Sequence, residues 1–352
     1  MLIRGGLVPT NVHIAGTKNM GAGKPTLAQI AQSLDLSTAT VSKAINDKPD
    51  VSKATKKKVE QALKDSGYHK KAQNKKAQCI EIVFQELENL WEIEVLRGLT
   101  ECAAEHGLSV VVTESGDHQH PASDWASGVI ARNPVGVILV FSSLTENEAS
   151  LLSSKDIPFI ILDPSGAPSP NSMSVRADNW TGGLLATRHL IALGHRRIGI
   201  ITGPSNMLCS KARLDGYHAA LEEAEIKIDD NLCREGNFQE TGGLVQGESL
   251  LSMRQPPTAI FTCSDRQAMG VYEAARRLGF SIPQDLSVVG FDDIQTAAYM
   301  GPSLTTVRQP LREMASCAAE MLLKSRQGRN QTHNSVILPT SLIIRNSTQS
   351  ID

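Results

Sequence analysis

Between Lys24 and Gln78 the chain carries twelve lysines, no arginine and five acids, a local charge of +7. Ammonium groups crowded along one segment suit phosphate oxygens, and a nucleic-acid backbone presents those in series. Arg4 and Lys18 bring residues 1–78 to +9, so a chain of net charge −2 leaves −11 on residues 79–352. A basic head joined to an acidic body is the split expected when one end alone meets phosphate. A lysine run by itself reads as a solvated surface. Here it coincides with short helical patterns, which favours the first reading.

Other chemistry is sparse. The stretch GAGKPT tempts a phosphate-loop reading, but that motif needs Gly where Lys18 stands and Ser or Thr where Pro25 stands. His118 and His120, near Asp117 and Asp124, form an H-x-H with no third ligand at helical spacing, so a polar loop is favoured over a metal site. No Ser-His-Asp or paired-acid constellation emerges, which argues against an enzyme and leaves no cofactor implied. The six cysteines (79, 102, 209, 233, 263, 317) contain no C-x-x-C pair. That spacing excludes a disulfide framework and makes a reducing cytoplasm the default. No apolar run approaches the ~18 residues of a membrane span, and residues 1–16 lack the apolar core of a signal peptide.

The elements that must position the lysines are legible locally. Residues 1–23 are Gly-rich and aperiodic, a flexible leader. Thr26 caps a helix with Leu27, Ile30, Ala31 and Leu34 on one face. Ser37 caps a second with Val41, Ala44 and Ile45 inside. Ser52 caps a third with Val59, Ala62 and Leu63 inside, stopped by Gly67. The first two, joined through Leu34-Asp35-Leu36, make an all-α helix-turn-helix head over residues 24–68. Residues 69–78 read as a hinge or linker. From Cys79 onward apolar strands (Ile80–Phe84, Ser109–Thr113, Gly136–Val140, Phe159–Leu162, Ile198–Thr202, Ala259–Thr262, Ser287–Gly290) alternate with amphipathic helices. This predicts an α/β body with parallel sheets, and the strand count points to two lobes.

At these residues the sequence resembles the LacI/GalR family of bacterial transcriptional regulators. The head carries TLAQIAQSLDLSTATVSKAIND and VSKATKKKVEQALKDSGY. The body carries VRADNWTGGLLATRHLIALGHRRIGIITGP, ARLDGYHAAL, PPTAIFTCSDRQAMG, IPQDLSVVGFDD and PSLTTVRQPLREMA, in family order over about residues 26–345. The resemblance implies a two-lobed periplasmic-binding-protein-like (type I) body spanning 79–352, crossed by the chain three times. Lobe one would be about 79–177 with 293–326, and lobe two about 178–292 with 327–352. It further implies a homodimer on double-stranded operator DNA and a small-molecule effector, a sugar or sugar phosphate, in the cleft between lobes. A purine-type ligand would use similar groups.

Under that resemblance the recognition helix begins at Ser37, placing Thr38 and Ala39 toward base edges. Thr40, Ser42 and Lys43 follow as backbone or base contacts, and Asn46 sits near phosphate, with Thr26 at the first cap. Where the family usually has Arg this chain has Lys43, which lacks the planar bidentate fork. The hinge departs from the pattern. Lys70 and Lys71 replace its first pair, and Ala77, too small to unstack a base step, stands near the usual apolar wedge. It either grips phosphate through Lys70, Lys71, Lys75 and Lys76 or runs as a basic linker.

In the cleft the family positions are Asp163, Arg213, Phe238, Ser264, Asp265 and Asp292, with Asn89 and Trp91 as looser candidates. Acids and an Arg around an aromatic plate suit a polyol, whose hydroxyls bond the charges while its less polar face covers the ring. Other roles stand beside these: an inter-lobe salt bridge for Arg213 and Asp292, a core position for Phe238, helix caps for the acids. The expected function is a ligand-responsive repressor. The alternative is a solute-binding transport protein with the same body, which the basic head and missing signal peptide disfavour.

Overall fold

Three hydroxyls set the helix starts in the head. Thr26 Oγ1 accepts the backbone N–H of Gln29, whose side chain returns to the Thr26 N–H at 2.7 Å, a capping box opening α1 (Leu27–Ser33). Ser37 Oγ accepts Thr40 N–H at 3.0 Å before α2 (Thr38–Ile45), and Ser52 Oγ accepts Thr55 N–H at 3.1 Å before α3 (Lys53–Asp65). Between α1 and α2 the chain turns through Asp35 at φ 52°, a left-handed conformation that Asp tolerates better than most residues. The core is small: Ile30, Ala31, Val41 and Val59 are buried, flanked by Leu27, Leu34, Leu36, Ala44, Ile45, Ala62 and Leu63. Those are the apolar faces the periodicity predicts.

This computed structural model describes residues 26–45, 48, 50–66, 78–87, 90–116, 125–140, 146–166, 172–326 and 334–351. The chain divides into two compact units, Met1–Lys75 and Lys76–Asp352. The expected helix stop at Gly67, the lysines of the hinge, Asn46, Asn89 and the His118/His120 pair all lie outside the described residues.

The body is built on two six-stranded sheets. The first contains β1 (Cys79–Phe84), β2 (Ser109–Glu114), β3 (Gly136–Val140), β4 (Phe159–Leu162), β5 (Met173–Ala177) and β11 (Ser335–Leu338), in the order β11-β5-β4-β3-β1-β2 and all parallel. The second contains β6 (Ile198–Thr202), β7 (Cys233–Glu235), β8 (Ala259–Thr262), β9 (Ser287–Asp292), β10 (Thr305–Arg308) and β12 (Ser341–Ile343), in the order β12-β10-β9-β8-β6-β7. Its pairings are parallel except β10 with β12. β1, β3 and β9 are buried along their whole length, as doubly covered parallel strands must be; β3 reads as an unbroken apolar run, while Glu81 in β1 is buried and paired with Arg132.

Helices α4 (Leu90–Glu105), α5 (Trp125–Arg132) and α6 (Glu146–Ser153) serve the first sheet. The second has α7 (Asn179–Ala192), α8 (Leu208–Glu223), α9 (Glu240–Leu251) and α10 (Asp265–Leu278). Then α11 (Leu311–Arg326) returns to the first lobe, and Met314, Ala315, Ala318 and Ala319 join its core. The chain therefore passes between lobes after β5, after β10 and between β11 and β12. The expected lobe boundaries need correction at two places. Thr305–Arg308 pair with β9, and Ala297 and Leu304 lie in the second lobe's core, so this stretch belongs to lobe two. Ser335–Leu338 pair with β5 and belong to lobe one. Strand partnership is a long-range choice that sequence order does not carry.

Candidate ligand cavity and nucleic-acid interface

Parallel sheets gather chemistry beyond their strand carboxyl ends, because the loops that follow converge there. Here the residues after β1, β4, β8 and β10, together with the last residue of β9, line one cavity of about 220 Å³: Gln85 and Glu86, Asp163, Ser264, Gln309, and Asp292. Trp91 and Glu92 of α4, Arg213 of α8, and Asn237 and Phe238 after β7 add to its wall. Its lining thus draws on both sheets.

Arg213 organises the charges. It is 3% exposed, donates from Nε to Asn179 Oδ1 at 2.8 Å and from Nη1 to the Cys263 carbonyl, and lies 3.7 Å from the Phe291 ring centroid. Asp292 Oδ1 stands 4.0 Å from Arg213 Nη1, beyond hydrogen-bond length, and accepts instead from Gln309 Nε2 at 2.6 Å. Arg213 and Asp292 both belong to the second lobe, so their pairing is not the inter-lobe bridge that sequence allowed. The acid from the opposite lobe is Asp163. Burial pushes its carboxyl up to about 6 against the pull of Arg213 and Arg176. Burial likewise pushes Asp292 up to about 7, opposed by Arg213 and the Gln309 bond and reinforced by Asp163.

Backbone strain concentrates here as well. Asp163, Phe238 and Asp292 have φ of 50°, 63° and 117°, which costs each on the order of 1–3 kcal/mol and persists only where surroundings enforce it. Ser264 is one enforcer. Its Oγ accepts Gln267 N–H at 3.0 Å, capping α10, and donates to the Phe238 carbonyl at 2.8 Å. Gly203 is another, since a Cβ there would lie 1.9 Å from Phe238 Cζ. Phe238 is half-buried, with the second lobe's core against it and the cavity beside it, so both readings of this residue hold in part.

One expected ligand contact is overturned. Asp265 is fully buried and absent from the cavity wall. Its carboxylate accepts Thr306 Oγ1 and the Ile294 N–H at 2.9 Å, knitting α10 to the second sheet. Ser264, not Asp265, is the cap, and the first residue of the helix points back into the lobe. Asp163, Arg213, Phe238, Ser264, Asp292 and Trp91 are brought together. Sequence reasoning missed Gln309 and Asn179, although VRQP and RADNW were in view. Their polarity becomes informative only once they are seen buried beside Asp292 and Arg213.

The raised acids fix a sign for pH. Asp292 titrates near 7 in the folded body and near 4 when unfolded, so its contribution to stability is full below about pH 4 and lost as pH climbs through about 7. Burial lowers His189 and His195, whose effect runs oppositely and is spent above about pH 6.5. Between pH 6.5 and 8 the wild-type body is expected to lose on the order of 1 kcal/mol relative to Asp292→Asn. Urea titrations of the two proteins across that window check it; parallel pH profiles refute it.

In the head, Thr38 and Ala39 are exposed at the N-terminus of α2, while Thr26, Ser37 and Thr40 spend their hydroxyls on the caps. Ser42 is half-buried. Lys43 is exposed and ion-paired with Asp50, which it holds below the usual carboxylate range. That pair neutralises one cation on α2 itself. Asp50→Asn is expected to raise DNA affinity severalfold and, if Lys43 meets phosphate, to steepen the log–log salt slope by about 0.9. Fluorescence anisotropy at graded salt measures both.

A helix-turn-helix head joined to a two-sheet body, with buried acids and an arginine lining a cavity at its strand ends, defines a ligand-controlled DNA-binding regulator. The chain belongs to the lacI family of bacterial regulatory proteins: the model of that family matches residues 26–71, and one for a periplasmic binding protein-like domain matches residues 187–348. It is 32% identical to the HTH-type transcriptional repressor CytR of Escherichia coli (strain K12), over 93% of this chain and 97% of that protein. Among solved structures it resembles the transcriptional regulator CelR–cellobiose complex, with a TM-score of 0.72, 28% identity and coverage of 92% of this chain and 99% of that one. It also resembles the lac repressor dimer bound to operator and the anti-inducer ONPF, with a TM-score of 0.70, 27% identity and coverage of 93% and 100%. Among the described residues no helix is long and apolar enough to cross a membrane.

Proposed function

We propose that this chain acts in the cytoplasm as a dimeric, non-catalytic repressor whose operator affinity is set by a neutral, hydroxyl-rich effector. The observation that carries the effector class is the charge of the cavity wall. Glu86, Glu92, Asp163 and Asp292 face two arginines, one of which, Arg266, is already paired through two bonds to Glu240. Such a wall repels a phosphate and offers acceptors to hydroxyls. Gln309 adds a buried Oε1 with no partner among the described residues, a further acceptor for a donor on the ligand. Phe238 supplies the apolar plate. Of the sugar and sugar phosphate the sequence allows, the sugar is favoured.

Asp163 from one lobe and Arg213 with Asp292 from the other give the effector contacts on both sides. A ligand held across the cleft favours one lobe arrangement over another, which is the differential affinity that switching requires. Thr38 and Ala39 would then meet base edges, with Lys43 on base or backbone. The test is a thermal-shift screen of pentoses, hexoses, disaccharides and nucleosides, each paired with its phosphate ester, followed by operator gel shifts with the binders. A neutral binder at 100-fold over its Kd stabilises the body by about 2.7 kcal/mol. Binding confined to phosphorylated compounds refutes the charge argument, and binding of nucleosides alone favours the purine-type reading.

A further inference from the structure

Among the described residues, one cluster of ligating atoms outside the cavity belongs to no role described so far. Cys102 lies in the last turn of α4, and His106, four positions on, is the first residue after that helix ends. Glu320 of α11 stands opposite, its Oε1 2.8 Å from His106 Nε2. Cys102 Sγ, a His106 ring nitrogen and a Glu320 oxygen all lie within 4.8 Å of one another. The helices that carry them are held close, because a Cβ at Gly98 would sit 2.4 Å from the Arg312 carbonyl oxygen.

We infer that Cys102, His106 and Glu320 form a binding site for a borderline-soft divalent metal of the zinc class, clipping α4 to α11. The donor set decides the class. A thiolate and an imidazole reject calcium and magnesium, which take oxygen ligands, whereas sulfur, nitrogen and one carboxylate oxygen are zinc donors. With one sulfur among its donors, a tetrahedral zinc holds them roughly 3.3–3.6 Å apart. The His106–Glu320 contact must therefore open by about half an ångström, and Cys102 must close by up to about 1.3 Å. Both are rotamer-scale changes at side chains of which His106 is exposed and Glu320 half-exposed. Three protein ligands leave a fourth position for water.

Two neighbours bear on the site. Lys324 Nζ pairs with Glu320 Oε2 at 3.2 Å and opposes an incoming cation, but its side chain is 54% exposed and free to swing outward. Cys102 Sγ rests 3.9 Å from the Ser316 carbonyl, which leaves it turned toward α11. The consequence of binding would be mechanical. α4 opens the first lobe's helical layer, and α11 is the first helix after the chain's return from the second lobe. A metal there cross-links segments 214 residues apart in sequence.

The test is titration of the reduced full-length protein with Co²⁺, followed by displacement with Zn²⁺. One equivalent per chain is expected to give tetrahedral cobalt absorption with a thiolate charge-transfer band, bleached by Zn²⁺. Cys102→Ser should abolish the charge-transfer band and Cys317→Ser should leave it. His106→Ala and Glu320→Gln, both at accessible side chains, should weaken binding at least about tenfold, while Lys324→Met should tighten it. Absence of a charge-transfer band, its persistence in Cys102→Ser, or its loss in Cys317→Ser alone would overturn the site.

Discussion

Arg213→Met is expected to yield a protein that binds operator DNA but no longer answers to its effector. Among the described residues the Arg213 guanidinium is the one buried cation, acting on Asp163 and Asp292, and methionine keeps much of its volume without charge or donors. Removing one partner of a buried charge cluster costs about 3–5 kcal/mol when the other charges stay ionised. Here the acids titrate near 6 and 7 even beside the arginine, so without it they rise further and take up protons, and the loss of stability should fall below that range at neutral pH. Effector binding has no such escape, because protonated acids lose acceptor strength and the Arg donors are gone. Calorimetric titration should show effector affinity lowered by about 10²-fold or more, about 3 kcal/mol, with operator affinity in the absence of effector within a few-fold of wild type. Unchanged effector affinity would remove Arg213 from the site.

The second large effect lies in the other unit. Val41 is 0% exposed at the centre of the head's core, and Val41→Asp places a charge there with no partner. A core built on four buried side chains cannot absorb several kcal/mol, so the head should unfold. Operator affinity is expected to drop to the non-specific level or below, at least about 10³-fold. The body, a separate compact unit, should keep its thermal midpoint and its effector binding. A body transition that shifts along with the loss of DNA binding would show the two units to be energetically coupled.

Local interactions are what made the head legible before any coordinates. A cap reaches three residues and a helical face repeats every three or four, so Thr26, Ser37 and Ser52, and the apolar residues behind them, announce themselves in a linear text. The same holds for β3, whose continuous burial leaves no polar residue in the run. The cavity residues were harder. Asp163, Arg213, Phe238 and Asp292 stood out only through likeness to a family, since 129 positions separate the first acid from the last.

Burial, pairing and strain at those positions were settled by tertiary structure alone. Asp265 and Ser264 are neighbours of similar polarity. Which of them faces a ligand depends on where Thr306 and the Ile294 amide come to rest. Thr305–Arg308 and Ser335–Leu338 sit on opposite lobes because strand partners are chosen across space, not along the chain. Arg213 acts on Asp292, 4.0 Å away in its own lobe, and on Asp163 from the far one, a balance of distance and desolvation that composition does not encode. By itself the sequence determined a basic helix-turn-helix head and an acidic α/β body, because charge, caps and periodicity are short-range. The tertiary structure decided which acids face the ligand cavity and which thiol meets which imidazole, because those meetings depend on chain segments that only folding brings within reach.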